Sequence, residues 1–148
     1  MKNIKYIVVV QCHIVKERCS GYLCEYAFSE RTGSFSNYPK NTPIRFLSLT
    51  CGGCCGRAVH RKLSNLIKKI KQKENIGKDE IQVHLSSCIS FDSYHGGQCP
   101  HKEYLETLIC DKLGLDCVDG SRISELTEKR RKEGLYKTRF QRLNCENQ

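Results

Sequence analysis

The sequence predicts an α/β fold: a small three-layer sandwich with a mostly parallel sheet of about four strands, followed by a basic C-terminal tail of helical character. Three observations lead there. Tyr6 to Val10 (YIVVV) is a continuous, largely β-branched run, the pattern of a strand buried on both faces of a parallel sheet. From Ala58 onward, Val59, Leu63, Leu66, Ile67 and Ile70 fall at i, i+4, i+7, i+8 and i+11, which is one face of a helix whose other face is filled by Lys and Arg. Strand-like and helical segments then alternate along the chain, and strands joined through helices lie parallel with right-handed crossovers.

The elements follow in order. After the first strand comes the pair Cys12 and His13. A short helix follows, capped by Ser20 and ending near Gly33. Residues 37–43 hold two prolines and no periodicity, so they form a connection. Ile44 to Thr50 reads as the second strand and runs directly into "CGGCCGR", Cys51 to Arg57, before the long helix. Ile81, Val83 and Leu85 alternate with Gln82, His84 and Ser86 in a third strand that stops at Ser87 and Cys88. A polar loop, 91–98, leads to Cys99, Pro100 and His101, where proline opens a helix whose buried face is Leu105, Leu108, Ile109 and Leu113. Gly114 stops that helix, and Leu115 to Val118 form a short fourth strand. Cys110, beside Ile109, reads as a core residue. The chain divides into an α/β domain, residues 1–122, and a tail, 123–148, that carries the run Lys129, Arg130, Arg131 and Lys132.

Composition narrows the function. The chain has 148 residues, the size of one ordinary domain. The apolar stretch Ile7 to Val10 is far too short to cross a bilayer or to form a signal-peptide core, which predicts a cytoplasmic protein without membrane attachment. Eleven cysteines, an odd number, in a reducing compartment point to metal ligands or redox thiols rather than to a disulfide scaffold. The net charge of +9 counts every thiol as neutral. Four metal-bound thiolates with a divalent ion would lower it by about two units, so basicity is weak support for an anionic partner. The chain has no Trp and does not interleave aromatic with basic residues, which argues against a nucleic-acid partner.

The placement of the cysteines carries more weight than their number. Cys12 follows the first strand, Cys51 and Cys54 follow the second, and Cys88 follows the third. In a parallel sheet these strand ends share the edge where open α/β folds bind their ligands. Cys99 begins the helix after the third strand's loop, close to the same edge. Gly52 and Gly53 permit a sharp turn, Gly56 tolerates a left-handed conformation, and a thiolate at the start of the following helix would be stabilised by the helix dipole and by Arg57.

Cys12, Cys51, Cys54, Cys88 and Cys99 are therefore the candidate metal ligands, with Cys19, Cys24 and His101 as further donors. Zinc is the first choice and an iron–sulfur cluster the second, since both take thiolates in fours. His13 and His101 read as surface or helix-start residues, which leaves no convincing general base. The competing reading is a thiol–disulfide or sulfur-transfer enzyme in which Cys54 attacks and Cys51 resolves.

Together these residues resemble the CGGC domain family, over roughly Lys5 to Ser121. The resemblance is carried by Cys12, by Cys19 and Cys24 leading to Ala27 and Phe28, by Gly33 with Phe35, by "CGGC-x-GR", by "HLSSC" at His84 to Cys88, and by "CPH" at Cys99 to His101. It implies an α/β domain whose Cys and His residues bind a metal, chiefly zinc, with no reaction attached. The chain departs from the family pattern at Cys55, where a proline is usual, and at Gly120, Ser121 and Arg122, where Gly-Thr-His is common. Cys55, Cys110, Cys117 and Cys145 lie outside the pattern, Cys117 in the last strand and Cys145 in the tail.

Overall fold

The computed structural model describes residues 3–53, 56–91 and 98–122. The strands are β1 (Tyr6–Gln11), β2 (Arg45–Thr50), β3 (Ile81–Leu85) and β4 (Asp116–Asp119). Helices α1 (His13–Lys16) and α2 (Tyr22–Glu30) join β1 to β2, and α3 (Arg57–Glu74) joins β2 to β3. Between β3 and β4 lie α4 (Ser87–Ser90) and α5 (Lys102–Glu106), and α5 continues into a π-helical turn, Thr107–Lys112.

All four strands are parallel, in the order β2-β1-β3-β4, as the alternation of strands and helices predicts. Val8 of β1 pairs with Leu47 on one side and Val83 on the other. The chain leaves β1 toward β2 and later crosses back to β3, so the winding reverses between β1 and β3. That crevice, beyond the strands' C-terminal ends, is where doubly wound sheets bind ligands.

Every residue of β1 is buried, and its alternating side chains seed two cores. Ile7 and Val9 pack with Ala27 and Phe28 of α2 and with Phe35. Tyr6, Val8 and Val10 share the other core with Val59, Leu63 and Ile70 of α3 and with Leu105 and Ile109. A strand buried on both faces needs a helical layer on each, which makes the three-layer sandwich.

The first interhelical region differs from its expected bounds. Gly21, not Ser20, is the N-cap of α2, and Ser20 Oγ instead accepts the Tyr22 N–H at 3.2 Å. The helix stops at Glu30 because Arg31 takes a left-handed conformation, its guanidinium 4.2 Å from the centre of the Phe28 ring. Gly33 lies beyond the helix and opens a 3₁₀ turn, Gly33–Phe35. A Cβ on Gly33 would stand 2.6 Å from the Ser121 carbonyl oxygen, so glycine is what lets this turn dock against the end of β4, where Ser34 N–H bonds the same carbonyl at 3.1 Å.

Strand β3 keeps its expected bounds, the last helix starts at Lys102 so that Pro100 precedes its N-cap His101 rather than opening it, and three other elements shift by one residue. Strand β2 begins at Arg45, α3 at Arg57 and β4 at Asp116, with Leu115 buried just before it. Gly56 caps α3 at φ +90°, and a Cβ there would lie 2.5 Å from Leu108 Cδ1, so the turn is pressed onto the helix after α5.

Cys110 corrects one expectation: it is exposed, not a core residue. At the regular advance of about 100° per residue Cys110 already lies about 140° from Leu105, off the face of Leu105, Leu108 and Ile109, and the helix there is wound as a π turn, the Leu113 N–H bonding the Leu108 carbonyl at 3.1 Å, five residues back. Cys110 then lines a surface cavity of about 540 Å³ together with Cys117 and four carboxylates, Glu103, Glu106, Asp111 and Asp119.

Among the described residues no helix is long and apolar enough to cross a membrane. Cys54, Cys55 and the helical tail expected over 123–148, Cys145 included, lie outside the described residues.

Candidate metal centre

Parallel pairing delivers three thiols to one edge. Cys12 directly follows β1, Cys51 directly follows β2, and Cys88 lies three residues beyond β3 in α4. Backbone pairing persists past the strand ends, with Cys51 N–H on the Gln11 carbonyl at 2.9 Å and Ser86 N–H on the Val10 carbonyl at 3.0 Å. Gly52 and Gly53, at φ +82° and +68°, form the expected turn after Cys51.

The sulfurs are held by hydrogen bonds across these segments. Cys12 N–H donates to Cys88 Sγ at 3.4 Å, across the crevice between β1 and β3, and His13 N–H donates to Cys51 Sγ at the same distance. Ser86 Oγ lies 2.8 Å from Cys88 Sγ. Cys99 is tied to α4 through its N–H on the Ile89 carbonyl at 2.9 Å, and the backbone of His101 is near enough to its sulfur to lower its pKa. Cys51 is buried, and Cys12, Cys88 and Cys99 pack against the same core.

Burial pushes the thiols of Cys88 and Cys99 above the ordinary cysteine range, against the lowering effect of the hydrogen bonds each accepts. Cys88 also feels the charge of Cys12 and Cys24, and Cys99 that of Cys12 and Cys51, and each of these neighbours raises the thiol further. Cys12 is thus within electrostatic reach of both Cys88 and Cys99, with Cys24 near the first and Cys51 near the second.

Cys24 is tied in by a serine relay. Its sulfur lies 3.1 Å from Ser121 Oγ, which accepts the Ser87 N–H at 3.2 Å, while Ser121 N–H returns to Ser87 Oγ at 3.0 Å. Cys19 instead accepts the Gly21 N–H within its own loop, at 3.4 Å. His101 is exposed at the start of α5, and His13 is exposed at the start of α1. Among the described residues no group of three or more His, Cys, Asp and Glu side chains stands in metal-holding geometry.

Sequence reasoning missed the buried polar cluster on the opposite face of β3. His84 is fully buried, its ring 4.7 Å from that of Phe35. The Gly120 carbonyl, 3.0 Å from Nδ1, can only accept, which fixes the proton on Nδ1. Nε2 is then an acceptor and takes the Tyr38 O–H at 2.7 Å. Burial drives the Tyr38 hydroxyl up to about 12, so it remains a donor, and burial lowers the pKa of His84. The signal was a lone His among apolar strand residues.

No curated protein and no solved structure matches the chain. The CGGC domain model does match, over residues 6–122, a span that takes in all four strands and every thiol of the crevice; the chain belongs to the CGGC domain family.

Proposed function

We propose that this chain is a metal-binding module that holds zinc through thiolates at the C-terminal edge of its sheet. The ligands come from Cys12, Cys51, Cys54, Cys88 and Cys99, with Cys19, Cys24 and His101 outside the first set. The observation that carries this reading is the pair of backbone N–H groups, of Cys12 and His13, that bond sulfurs from two other segments. Amides that donate to sulfur stabilise it as a thiolate, and they fix its position before an ion arrives.

The donor chemistry fits the ion. Thiols desolvated at one edge resist losing their protons alone, because a buried thiolate lacks a counter-charge. Zinc would supply that charge and displace the protons. Held by four thiolates, zinc is closed to water and acts as a structural centre that ties the ends of β1, β2 and β3. An iron–sulfur centre could use the same sulfurs. The redox alternative needs Cys51 and Cys54 free to pair, and the burial of Cys51 works against a resolving role.

Elemental analysis of the full chain purified without oxygen, together with its visible spectrum, tests this. The expected result is near-stoichiometric zinc and no colour. Iron with sulfide and a brown chromophore would move the assignment to a cluster, and metal-free protein with reversible Cys51–Cys54 pairing would overturn the proposal in favour of redox chemistry.

A further inference from the structure

Gln11 ends β1 beside the crevice and is 3% exposed, yet its Oε1 is a buried atom with no hydrogen-bond partner. Such an atom is costly, and native structures rarely leave one without a ligand or water. Its surroundings suggest which. A Cβ built on Gly21, the N-cap of α2, would lie 2.7 Å from Lys16 Nζ, 3.1 Å from Gln11 Nε2 and 3.5 Å from Gln11 Oε1. The Gln11 amide, the Lys16 ammonium and the start of a nine-residue helix therefore meet at one point. A side chain at Gly21 would collide with Lys16 and Gln11, so glycine is what lets these groups gather against the helix start.

The charge at this point is positive. Lys16 Nζ donates to the Ser20 carbonyl at 2.9 Å, and no carboxylate pairs with it among the described residues. The Glu25 N–H makes the first intrahelical bond, to the Gly21 carbonyl at 3.2 Å, so the Leu23 and Cys24 N–H groups before it have no partner within the helix, and the helix dipole adds positive potential there. A helix N-terminus following the first strand, at the winding reversal of a doubly wound sheet, is where such folds seat anionic groups.

The orphan atom refines this. Lys16 and the helix N–H groups can only donate, so they select an anion, whereas Oε1 can only accept and asks for a hydrogen on the same ligand. Phosphate and its monoesters near neutral pH meet both demands, with charged oxygens for the donors and, in the singly protonated form, a P–OH for Gln11. Sulfate, with no proton, does not.

We propose that Gln11, Lys16 and the first turn of α2 form a binding site for a hydrogen-bearing phosphate group, either inorganic phosphate or a phosphate monoester. The site adjoins the thiol edge, since Gln11 directly precedes Cys12, but it does not rest on the metal assignment.

The test is calorimetric titration of the full chain, as purified and at fixed ionic strength, with inorganic phosphate, phenyl phosphate and sulfate in turn. Saturable phosphate binding is expected, at least about tenfold tighter than sulfate and about tenfold weakened by Lys16→Met, since each change removes a hydrogen bond to a charged group. Gln11→Leu should close the gap between phosphate and sulfate. Tighter binding of the monoester would point to an organic substrate, and tighter binding of inorganic phosphate to the free ion; both support the site. Absence of saturable binding, or phosphate binding unchanged in Lys16→Met, would overturn the proposal, the latter because a metal-bound phosphate would ignore Lys16. Zinc content, measured on the same samples, should be equal in the parent and Lys16→Met, so failure of the metal assignment would be read separately.

Discussion

Cys88→Ser, purified without oxygen, is expected to retain less than about a tenth of the parent's metal, because Cys88 is a proposed direct ligand and losing one costs more than the 10- to 100-fold typical of supporting groups. Cys88 is the sharpest choice. Its sulfur sits at the winding reversal, where it accepts the Cys12 N–H, and 2.8 Å from the hydroxyl of Ser86. Serine nearly preserves shape and hydrogen bonding there, so the metal-free fold should persist and the loss should be one of affinity. A structural ion present at a thousand times its Kd adds about 4 kcal/mol to stability. The variant should therefore melt roughly 10 °C or more below the metal-loaded parent, and chelation of the parent should reproduce the shift. Cys51→Ser should behave alike, and Cys117→Ser, on the edge strand β4, should keep its metal. Full metal content in Cys88→Ser would remove Cys88 from the ligand set.

His84→Leu should cost about 2–4 kcal/mol at pH 7. Leucine fills much of the imidazole's volume but leaves the buried Gly120 carbonyl without its donor and Tyr38 without its acceptor. The substitution also removes a pH dependence. Burial lowers the pKa of His84 in the folded chain below the 6.5 of the free group. Below about pH 6.5 the unfolded chain takes up a proton that the folded chain refuses, so stability falls as pH falls. The slope approaches 1.36 kcal/mol per unit and ends once the folded imidazole itself protonates. Urea unfolding from pH 8 to 5 should show this slope in the parent and its loss in His84→Leu. Parallel profiles would mean that His84 is not held neutral. The proposed thiolate–metal bonds would also weaken in acid, which is why the difference between the two proteins is the informative quantity.

The parts of the fold written in one-dimensional periodicity were legible. The run Tyr6–Val10 has no polar face, so it had to lie between two layers, and the apolar repeat of α3 has only one face to bury. The thiol edge followed from strand direction alone, because parallel strands bring Cys12, Cys51 and Cys88 to the same side. What escaped depends on contacts between distant segments. Ser20 lost the capping position because Gly21 can hold φ +83° beside Lys16 and Gln11. Cys110 is exposed because it lies beside, not on, the helix face set by Leu105, Leu108 and Ile109, and adjacency to Ile109 in the sequence is no guide to that face. His84 and Gln82 are polar in the strand pattern yet buried, since β3 is covered on both faces; the hydrogen-bond partners of His84 lie 46 and 36 residues away. The orphan oxygen of Gln11 is likewise invisible without its surroundings.

The central claim, that sulfurs from separate strand ends share one ion, is tested most directly by X-ray absorption at the metal edge of the anaerobically purified chain. The account predicts zinc in a shell of sulfur at about 2.3 Å, four atoms in number. A shell dominated by nitrogen or oxygen at about 2.0–2.1 Å would contradict it and place the metal away from the thiols of this edge.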